Sequence, residues 1–345
     1  MRSSELNIFE NSIYYVLLGK CNLNCSHCIR KISTDSIMEI SEARRGLQII
    51  SDTFPRPISL ILTGGEPTLY PNLKTILEYS CSNFDHTIIC SNGVYKNSMT
   101  SLFQFFAKKL ILQISIDGLS SDHNFLRKSN SWKNSFDSLE RACIAGIKTV
   151  VSTTVNADNI NNVLKLGNKL QNYKNIMCWK ISPEQTFNIG TEGRGLHCDE
   201  WNNFVDLVLN TVKLNVSIQK MYDFSLFKEA EHLYGKDFIK RNAIRNCGFG
   251  KKLYVYPDFS LYPCTCLSDF KLGNLLTNSY KEIRNNLNKL LLEKDLTPSI
   301  CSSCKWEYLC GRGCPGRSLR TFNKLWRGDP ICPLVINSIK EKSVL

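Results

Sequence analysis

The sequence predicts an α/β fold: six β/α repeats forming a partial or complete barrel, followed by a cysteine-rich C-terminal region. Two observations predict it. Short β-branched or apolar runs alternate with amphipathic stretches through the first half of the chain. Eight of the sixteen cysteines then fall between Cys247 and Cys332.

The strand segments are IYYVLL (13–18), ISLIL (58–62), HTIIC (86–90), LILQISI (110–116), TVVSTTV (149–155) and IMCWKIS (176–182). Between them lie EARRGLQIISDTF, PNLKTILEYSCSNF, SWKNSFDSLERACIAGI and NINNVLKLGNKLQN, whose apolar residues recur at helical spacing. Such alternation implies a parallel sheet with covering helices, and the chemistry of such domains sits in loops at the C-terminal strand ends. Residues 183–200, rich in Gly and polar side chains, read as a long loop or boundary. Helical stretches follow near 200–214 and 224–240, and KKLYVYPDFSLYP reads as a short β-hairpin with a Pro-Asp turn.

The chain has 345 residues, 43% of them hydrophobic, enough for one large core or two smaller ones. The opening MRSSELNIFENS lacks the apolar segment of a secretory signal, and no apolar run is long enough to span a bilayer. The expectation is a soluble, cytoplasmic protein with no membrane partner. Thiols so dense in a reducing compartment point to metal or cluster ligands rather than disulfides. The net charge is +12, and from Lys240 onward 18 Lys and Arg face 8 Asp and Glu. A solvated basic surface explains this excess, as does partial neutralisation by anionic clusters. A nucleic-acid footprint is disfavoured, because no basic stripe interleaved with aromatics is present.

After the first strand comes Cys21-Asn-Leu-Asn-Cys25-Ser-His-Cys28. Three thiolates on one tight loop can hold three irons of a 4Fe–4S cube and leave the fourth iron open. A zinc loop is the alternative, but His27, wedged between Cys25 and Cys28, is awkward as a fourth tetrahedral ligand. Strand two ends in Thr63-Gly64-Gly65-Glu66-Pro67, strand three in Cys90-Ser91-Asn92-Gly93, and strand four in Ser115-Ile116-Asp117-Gly118, with His123 and Arg127 beyond.

These residues resemble the radical S-adenosylmethionine (radical SAM) superfamily, whose motif is C-x3-C-x-φ-C with φ usually aromatic. Here φ is His27. The resemblance implies a 4Fe–4S cluster on Cys21, Cys25 and Cys28, with S-adenosylmethionine chelating the open iron. Reductive cleavage of that cofactor yields a 5′-deoxyadenosyl radical that abstracts hydrogen from a substrate. It further implies cofactor contacts from His27, Gly64, Gly65, Glu66, Asn92, Ser115, Asp117 and Arg127. The two glycines would let backbone approach the ligand, Glu66 belongs to the motif that holds the methionine amino group, and Arg127 would grip a carboxylate. His123 stays open between a role in this pattern and a surface position.

The C-terminal series is Cys301-x2-Cys304-x5-Cys310-x3-Cys314-x17-Cys332, preceded by Cys247 and Cys264. It is similar to the SPASM extension, which holds two auxiliary 4Fe–4S clusters. The implied sets are Cys247, Cys264 and Cys314 for the nearer cluster, and Cys301, Cys304, Cys310 and Cys332 for the farther one. Cys266 stays open as a fourth ligand of the nearer set or a bystander. The family's hairpin glycine falls at Phe259, so the turn is expected to be built differently. A zinc site on Cys301, Cys304, Cys310 and Cys314 would leave Cys247, Cys264 and Cys332 unexplained. The remaining thiols, Cys81, Cys90, Cys143, Cys178 and Cys198, read as core residues, with Cys178 also open as a hydrogen-atom donor inside the barrel.

The resemblance implies a partial (β/α)6 TIM-like barrel over 1–195, a linking helical segment over 196–246 and a SPASM domain over 247–345. It covers nearly the whole chain and implies a peptide or protein maturase. The leading expectation is a C–C, ether or thioether cross-link, or a related oxidation, in a ribosomally made precursor peptide. Radical oxidation or rearrangement of a small polyhydroxylated metabolite is the runner-up, and peptide epimerisation ranks below both. Thr265 stands where sulfatase maturases carry an Asp base, which argues against that activity. A ferredoxin-like electron carrier is opposed by the Gly64–Glu66 and Ser115–Arg127 features. The implied partners are reduced flavodoxin or ferredoxin as electron donor. With only about a dozen residues before strand one, a separate leader-peptide-binding protein is also expected.

Overall fold

The computed structural model describes residues 12–30, 34–127, 130–185, 195–219, 228, 232 and 249–342. Six strands, β1 (Ser12–Leu18), β2 (Ser59–Gly64), β3 (His86–Ser91), β4 (Leu110–Ser115), β5 (Lys148–Val155) and β6 (Ile176–Pro183), pair in chain order and in parallel. Each lies where the sequence predicts it. β7 (Val216–Ile218) adds in parallel beside β6, and β8 (Lys252–Val255) beside β1. β9 (Ser260–Tyr262) and β10 (Gly273–Asn274) continue antiparallel, giving one 10-stranded sheet. The sheet therefore runs past residue 195 and takes in the first strands of the cysteine-rich region.

The strands bury both faces, as parallel strands must; β1 and β2 are buried at every residue. One face meets the helices. Ala43, Leu47 and Ile50 recur at helical spacing on α1 (Ile40–Thr53), and Val163, Leu166, Gly167 and Leu170 on α6 (Ile160–Leu170). Gly167 is small for a reason: a Cβ there would lie 2.4 Å from the Trp179 ring. Between these helices come α2 (Leu73–Asn83), α3 (Asn97–Phe105), α4 (Ser120–Arg127) and α5 (Ser131–Ile144). α7 (Cys198–Thr211) matches the first predicted helix after the barrel. The one predicted near 224–240 lies outside the described residues, save 228 and 232. No helix among the described residues is long and apolar enough to cross a membrane.

The other face lines the barrel. Tyr14, Ile61, Ile88, Ile111, Val150 and Cys178 pack into an apolar floor, and Tyr14 stacks on Tyr254 at 4.4 Å. Two residues further along each strand the same face turns polar and half-exposed: Cys90 on β3, Gln113 on β4, Ser152 on β5 and Lys180 on β6. The barrel thus has a dry floor and an open polar chamber at the C-terminal strand ends.

The hairpin corrects one expectation. Its turn keeps the geometry a glycine would give, but Phe259 occupies the left-handed position at φ 61°. Phe259 N donates to Tyr256 O at 2.8 Å, and Tyr256 N to Ser260 O at 3.0 Å, closing a type I turn with a bulge. The ring is 4% exposed, and a Cβ on Gly46 of α1 would come within 2.9 Å of it. Phe259 thus trades backbone strain for docking the hairpin against the barrel.

Candidate active site

The Cys21–Cys28 loop leaves the C-terminal end of β1 and is held from three directions. The Gly64-Gly65 turn packs beneath it. Gly65 N donates to Leu18 O at 2.8 Å and Glu66 N to Lys20 O at 2.9 Å. A Cβ on Gly65 would lie 2.1 Å from Lys20 O, and one on Gly64, at φ 144°, 2.3 Å from Leu18 O. The backbone these glycines admit is therefore the approach to the cysteine loop, rather than a ligand alone.

Glu66 joins that turn to the end of β3. One carboxylate oxygen accepts from Thr68 N (3.1 Å), Thr68 Oγ1 (2.8 Å) and Ser91 Oγ (2.9 Å); the other accepts from Asn92 N (2.8 Å). Burial pushes the Glu66 carboxyl up against the pull of these donors. Asn92 carries the link onward: its Nδ2 donates to Asn22 Oδ1 at 2.7 Å and faces Cys21 Sγ at 3.8 Å. Ser135 and Ser138 of α5 donate to the carbonyls of Asn92 and Gly93 at 2.6 and 2.7 Å, fixing the turn from behind.

The third support is Asp117, fully buried beyond the end of β4. Its Oδ2 accepts from Arg127 Nε and faces His27 Nε2 at 3.2 Å; its Oδ1 accepts from Thr154 N at 2.8 Å. Burial alone would push this carboxyl up, but the Arg127 guanidinium and His27 hold it at about 2. Arg127 Nη1 also faces Cys25 Sγ at 4.0 Å. Part of the guanidinium expected to grip a carboxylate is thus spent on Asp117 and the cysteine loop. His123 is fully buried, not a surface residue, and its Nδ1 accepts from Asp117 N at 3.2 Å. Burial drives its imidazole down to about 4, with Arg127 and His27 adding to the shift. Ser115 stands apart from both networks, on the chamber face two residues beyond Gln113.

Around the loop's sulfurs, Leu23 N lies 3.4 Å from Cys21 Sγ, with the Asn92 and Arg127 donors beyond. Burial pushes the Cys21 thiol up, and that of Cys25 to about 11.

In the C-terminal region, Cys301, Cys304, Cys310 and Cys332 line one small cavity with Glu307 and Arg312. Arg312 has a left-handed backbone at φ 65° and is held by Glu307 Oε1 (2.9 Å), Thr297 O (2.9 Å) and Ser302 Oγ (3.1 Å). Cys314 does not line this cavity; Cys266 N donates to Cys264 Sγ at 3.4 Å, and the neighbouring Cys264 and Cys314 thiols push the Cys266 thiol well up. The zinc alternative needed Cys314 beside Cys301, Cys304 and Cys310, and Cys314 is not among the residues lining the cavity they share. No single-ion site of three or more His, Cys, Asp or Glu is present among the described residues. Cys247 lies outside the described residues. Cys198, read as a plain core thiol, packs in one apolar cluster with Cys332, Cys301 and Cys310. Cys178 faces the barrel interior in the apolar floor.

Sequence reasoning missed the polar brace at the end of β5. Asn159 Nδ2 donates to the carbonyls of Asp117 and Thr154, both at 2.8 Å, and Asn156 Nδ2 donates to Glu184 at 2.5 Å. The signal was the Asn-x-x-Asn immediately after a strand.

A family model described as the radical SAM superfamily matches residues 15–166. Among curated proteins, the chain is 23% identical over 79% of its length to the antilisterial bacteriocin subtilosin biosynthesis protein AlbA of Bacillus subtilis, and the match spans 59% of AlbA. It is 23% identical over 95% of its length to Fe-coproporphyrin III synthase of Methanosarcina barkeri, 88% of which is covered. Among solved structures, SuiB of Streptococcus suis bound to precursor peptide SuiA aligns with a TM-score of 0.73 at 16% identity, covering 94% of this chain and 76% of SuiB, which shows a shared fold. The cysteine loop after β1, the glycine turn after β2 and the Asp117 network after β4 all fall inside the segment that matches the radical SAM superfamily.

Proposed function

We propose that this chain reductively cleaves S-adenosylmethionine and abstracts hydrogen from a ribosomally synthesised peptide, installing a C–C, ether or thioether cross-link or a related oxidation. The observation that carries this reading is the seating of the Cys21–Cys28 loop, braced by Glu66, Asn92 and Asp117 at the mouth of a half-exposed polar chamber. The relation to AlbA, a bacteriocin biosynthesis protein, supports a peptide substrate.

The donor set fits an iron–sulfur cluster. Three thiols on one loop, with N–H groups directed at two of their sulfurs, suit an anionic thiolate-ligated centre. With S-adenosylmethionine bound, that centre supplies the 5′-deoxyadenosyl radical. Cys21, Cys25 and Cys28 would hold it. The protein's own part is placement. Gly64, Gly65, Glu66 and Asn92 fix the height of the loop, and His27, Asp117 and Arg127 fix its lateral position. Ser115 presents its hydroxyl to the chamber. In the C-terminal region, thiols spread round a cavity suit a multi-iron cluster better than one ion. We assign Cys301, Cys304, Cys310 and Cys332 to one auxiliary 4Fe–4S cluster, and Cys247, Cys264 and Cys314 to another, three clusters in all. Reduced flavodoxin or ferredoxin would supply the electron, and a separate protein would bind the leader peptide.

A second reading, radical chemistry on a small metabolite, draws on the longer match to Fe-coproporphyrin III synthase. Co-expression with small open reading frames from the neighbouring genome, followed by mass spectrometry, tests the first. Loss of two hydrogens from a peptide supports it. Unmodified peptides alongside a radical-dependent change in a small molecule contradict it.

A further inference from the structure

Arg312 is an unexpected residue for its place. It stands in Cys310-Gly-Arg-Gly-Cys314, where all three intervening residues are left-handed: Gly311 at φ 62°, Arg312 at 65° and Gly313 at 74°. Glycine adopts that backbone freely and arginine does not. Strain of this kind persists only where the surroundings enforce it. Here the guanidinium is tied to three separate segments: Nη1 donates to Thr297 O at 2.9 Å and Trp326 O at 3.5 Å, and Nη2 to Ser302 Oγ at 3.1 Å. These bonds fix a charged group on the wall of the cavity that Cys301, Cys304, Cys310 and Cys332 line. The rest of that wall is Ile300, Leu334, Val335 and Glu307. Glu307 offsets the charge only in part. Its Oε1 faces Arg312 Nε at 2.9 Å and Lys294 Nζ at 3.1 Å, so one carboxylate answers two cations. The Arg312 side chain is 4% exposed, against 24% for Glu307 and 26% for Lys294, so solvent screens the other two more. A guanidinium keeps its charge even when buried.

We propose that Arg312 sets the reduction potential of the farther auxiliary cluster, its buried guanidinium favouring the reduced form. This inference rests on the assignment of Cys301, Cys304, Cys310 and Cys332 to a 4Fe–4S cluster made above. Reduction adds one electron from a low-potential donor and makes or breaks no bond, so the reduced cluster carries one more negative charge than the oxidised one. Net charge near the sulfurs and exclusion of solvent are what set such potentials. A fixed cation on a largely apolar wall acts through a low dielectric and stabilises the more negative form. Glu307 on the same wall acts in the opposite sense.

The test is a redox titration of the anaerobically reconstituted full chain with dithionite, followed by electron paramagnetic resonance, with iron content measured alongside. The signal missing from Cys332→Ala identifies the farther cluster. The proposal predicts that Arg312→Gln makes this cluster about tenfold harder to reduce, a downward shift of about 59 mV for one electron. Arg312→Gly, which removes the charge and also relieves the backbone, should shift it equally. Arg312→Lys, which keeps the charge, should restore most of the native value, and Glu307→Gln should shift it upward. Iron content should stay native in all four. An unmoved potential in Arg312→Gln and Arg312→Gly at full iron overturns the proposal and leaves the cluster assignment standing. So does a downward shift in Glu307→Gln, since loosened packing and not charge would then move the potential. Iron loss from both Arg312→Gln and Arg312→Gly, with Glu307→Gln unshifted, assigns Arg312 a purely structural role and also overturns it. A Cys332→Ala chain with native iron content and every native signal overturns the cluster assignment itself.

Discussion

Arg127 Nε donates to Asp117 Oδ2, and the two side chains are almost wholly buried. The pair joins α4 to the end of β4, and through His27 and Cys25 it reaches the cysteine loop. Removing one partner leaves a buried charge uncompensated. Arg127→Ala should therefore cost about 3–5 kcal/mol of stability. Arg127→Ala with Asp117→Ala should cost clearly less than the sum of the singles. Guanidinium denaturation of the four proteins, held anaerobically, gives the coupling, and additive losses would show that the pair is not a unit.

His123 makes stability pH-dependent in a defined window. Its imidazole titrates at about 4 when folded, against the ordinary value near 6.5 when unfolded. Between those values the unfolded chain binds the extra proton, so stability is full above about pH 6.5 and falls as pH drops toward 4, by up to about 3 kcal/mol. Asp117, held at about 2, extends the loss below about pH 4. Comparing denaturation midpoints of the native chain and His123→Gln at pH 7 and 5 isolates the histidine. The native chain should lose more stability over that interval than the variant.

Phe259 sets backbone strain against packing. Glycine would relieve about 1–2 kcal/mol at a left-handed position, but deleting a buried Phe ring costs about 3–5 kcal/mol. Phe259→Gly should therefore destabilise the chain by about 1–4 kcal/mol. Phe259→Ala, which loses the ring and keeps the strain, should be worse by about 1 kcal/mol. Thermal melting of the two variants checks the order, and a Gly variant as stable as the native chain would mean the ring contributes nothing against α1.

The C-terminal cysteines predict iron stoichiometry in sets. The Cys264 and Cys314 thiols act on that of Cys266, whereas Cys332 lines the cavity with Cys301, Cys304 and Cys310. Cys264→Ala with Cys314→Ala should lose no more iron than either single, about one cluster. Cys314→Ala with Cys332→Ala should lose about two. Iron and sulfide analysis after anaerobic reconstitution distinguishes this from a shared site, where both doubles would lose equally.

The parallel strands were legible because each is a short apolar run bounded by turn residues, and the motifs fell at strand ends where the fold puts chemistry. What the motifs do for one another was not legible. Glu66 reads as a ligand-facing residue, yet its oxygens tie β3 to the β2 turn, and no spacing rule encodes that pairing. α3 and α4 were missed because their apolar faces are short, with Thr100 and Phe103 on one and His123, Leu126 and Arg127 on the other. The left-handed Phe259 could not be read at all, since local propensity disfavours it and only the contact with Gly46 explains it.

The central claim is that the Cys21–Cys28 loop directs radical cleavage of S-adenosylmethionine. The direct measurement is 5′-deoxyadenosine formation by the anaerobically reconstituted, dithionite-reduced chain, followed by chromatography. The account predicts the product from the native chain and none from Cys25→Ala, with the C-terminal iron retained. No 5′-deoxyadenosine from the native chain, or undiminished formation by Cys25→Ala, would contradict it.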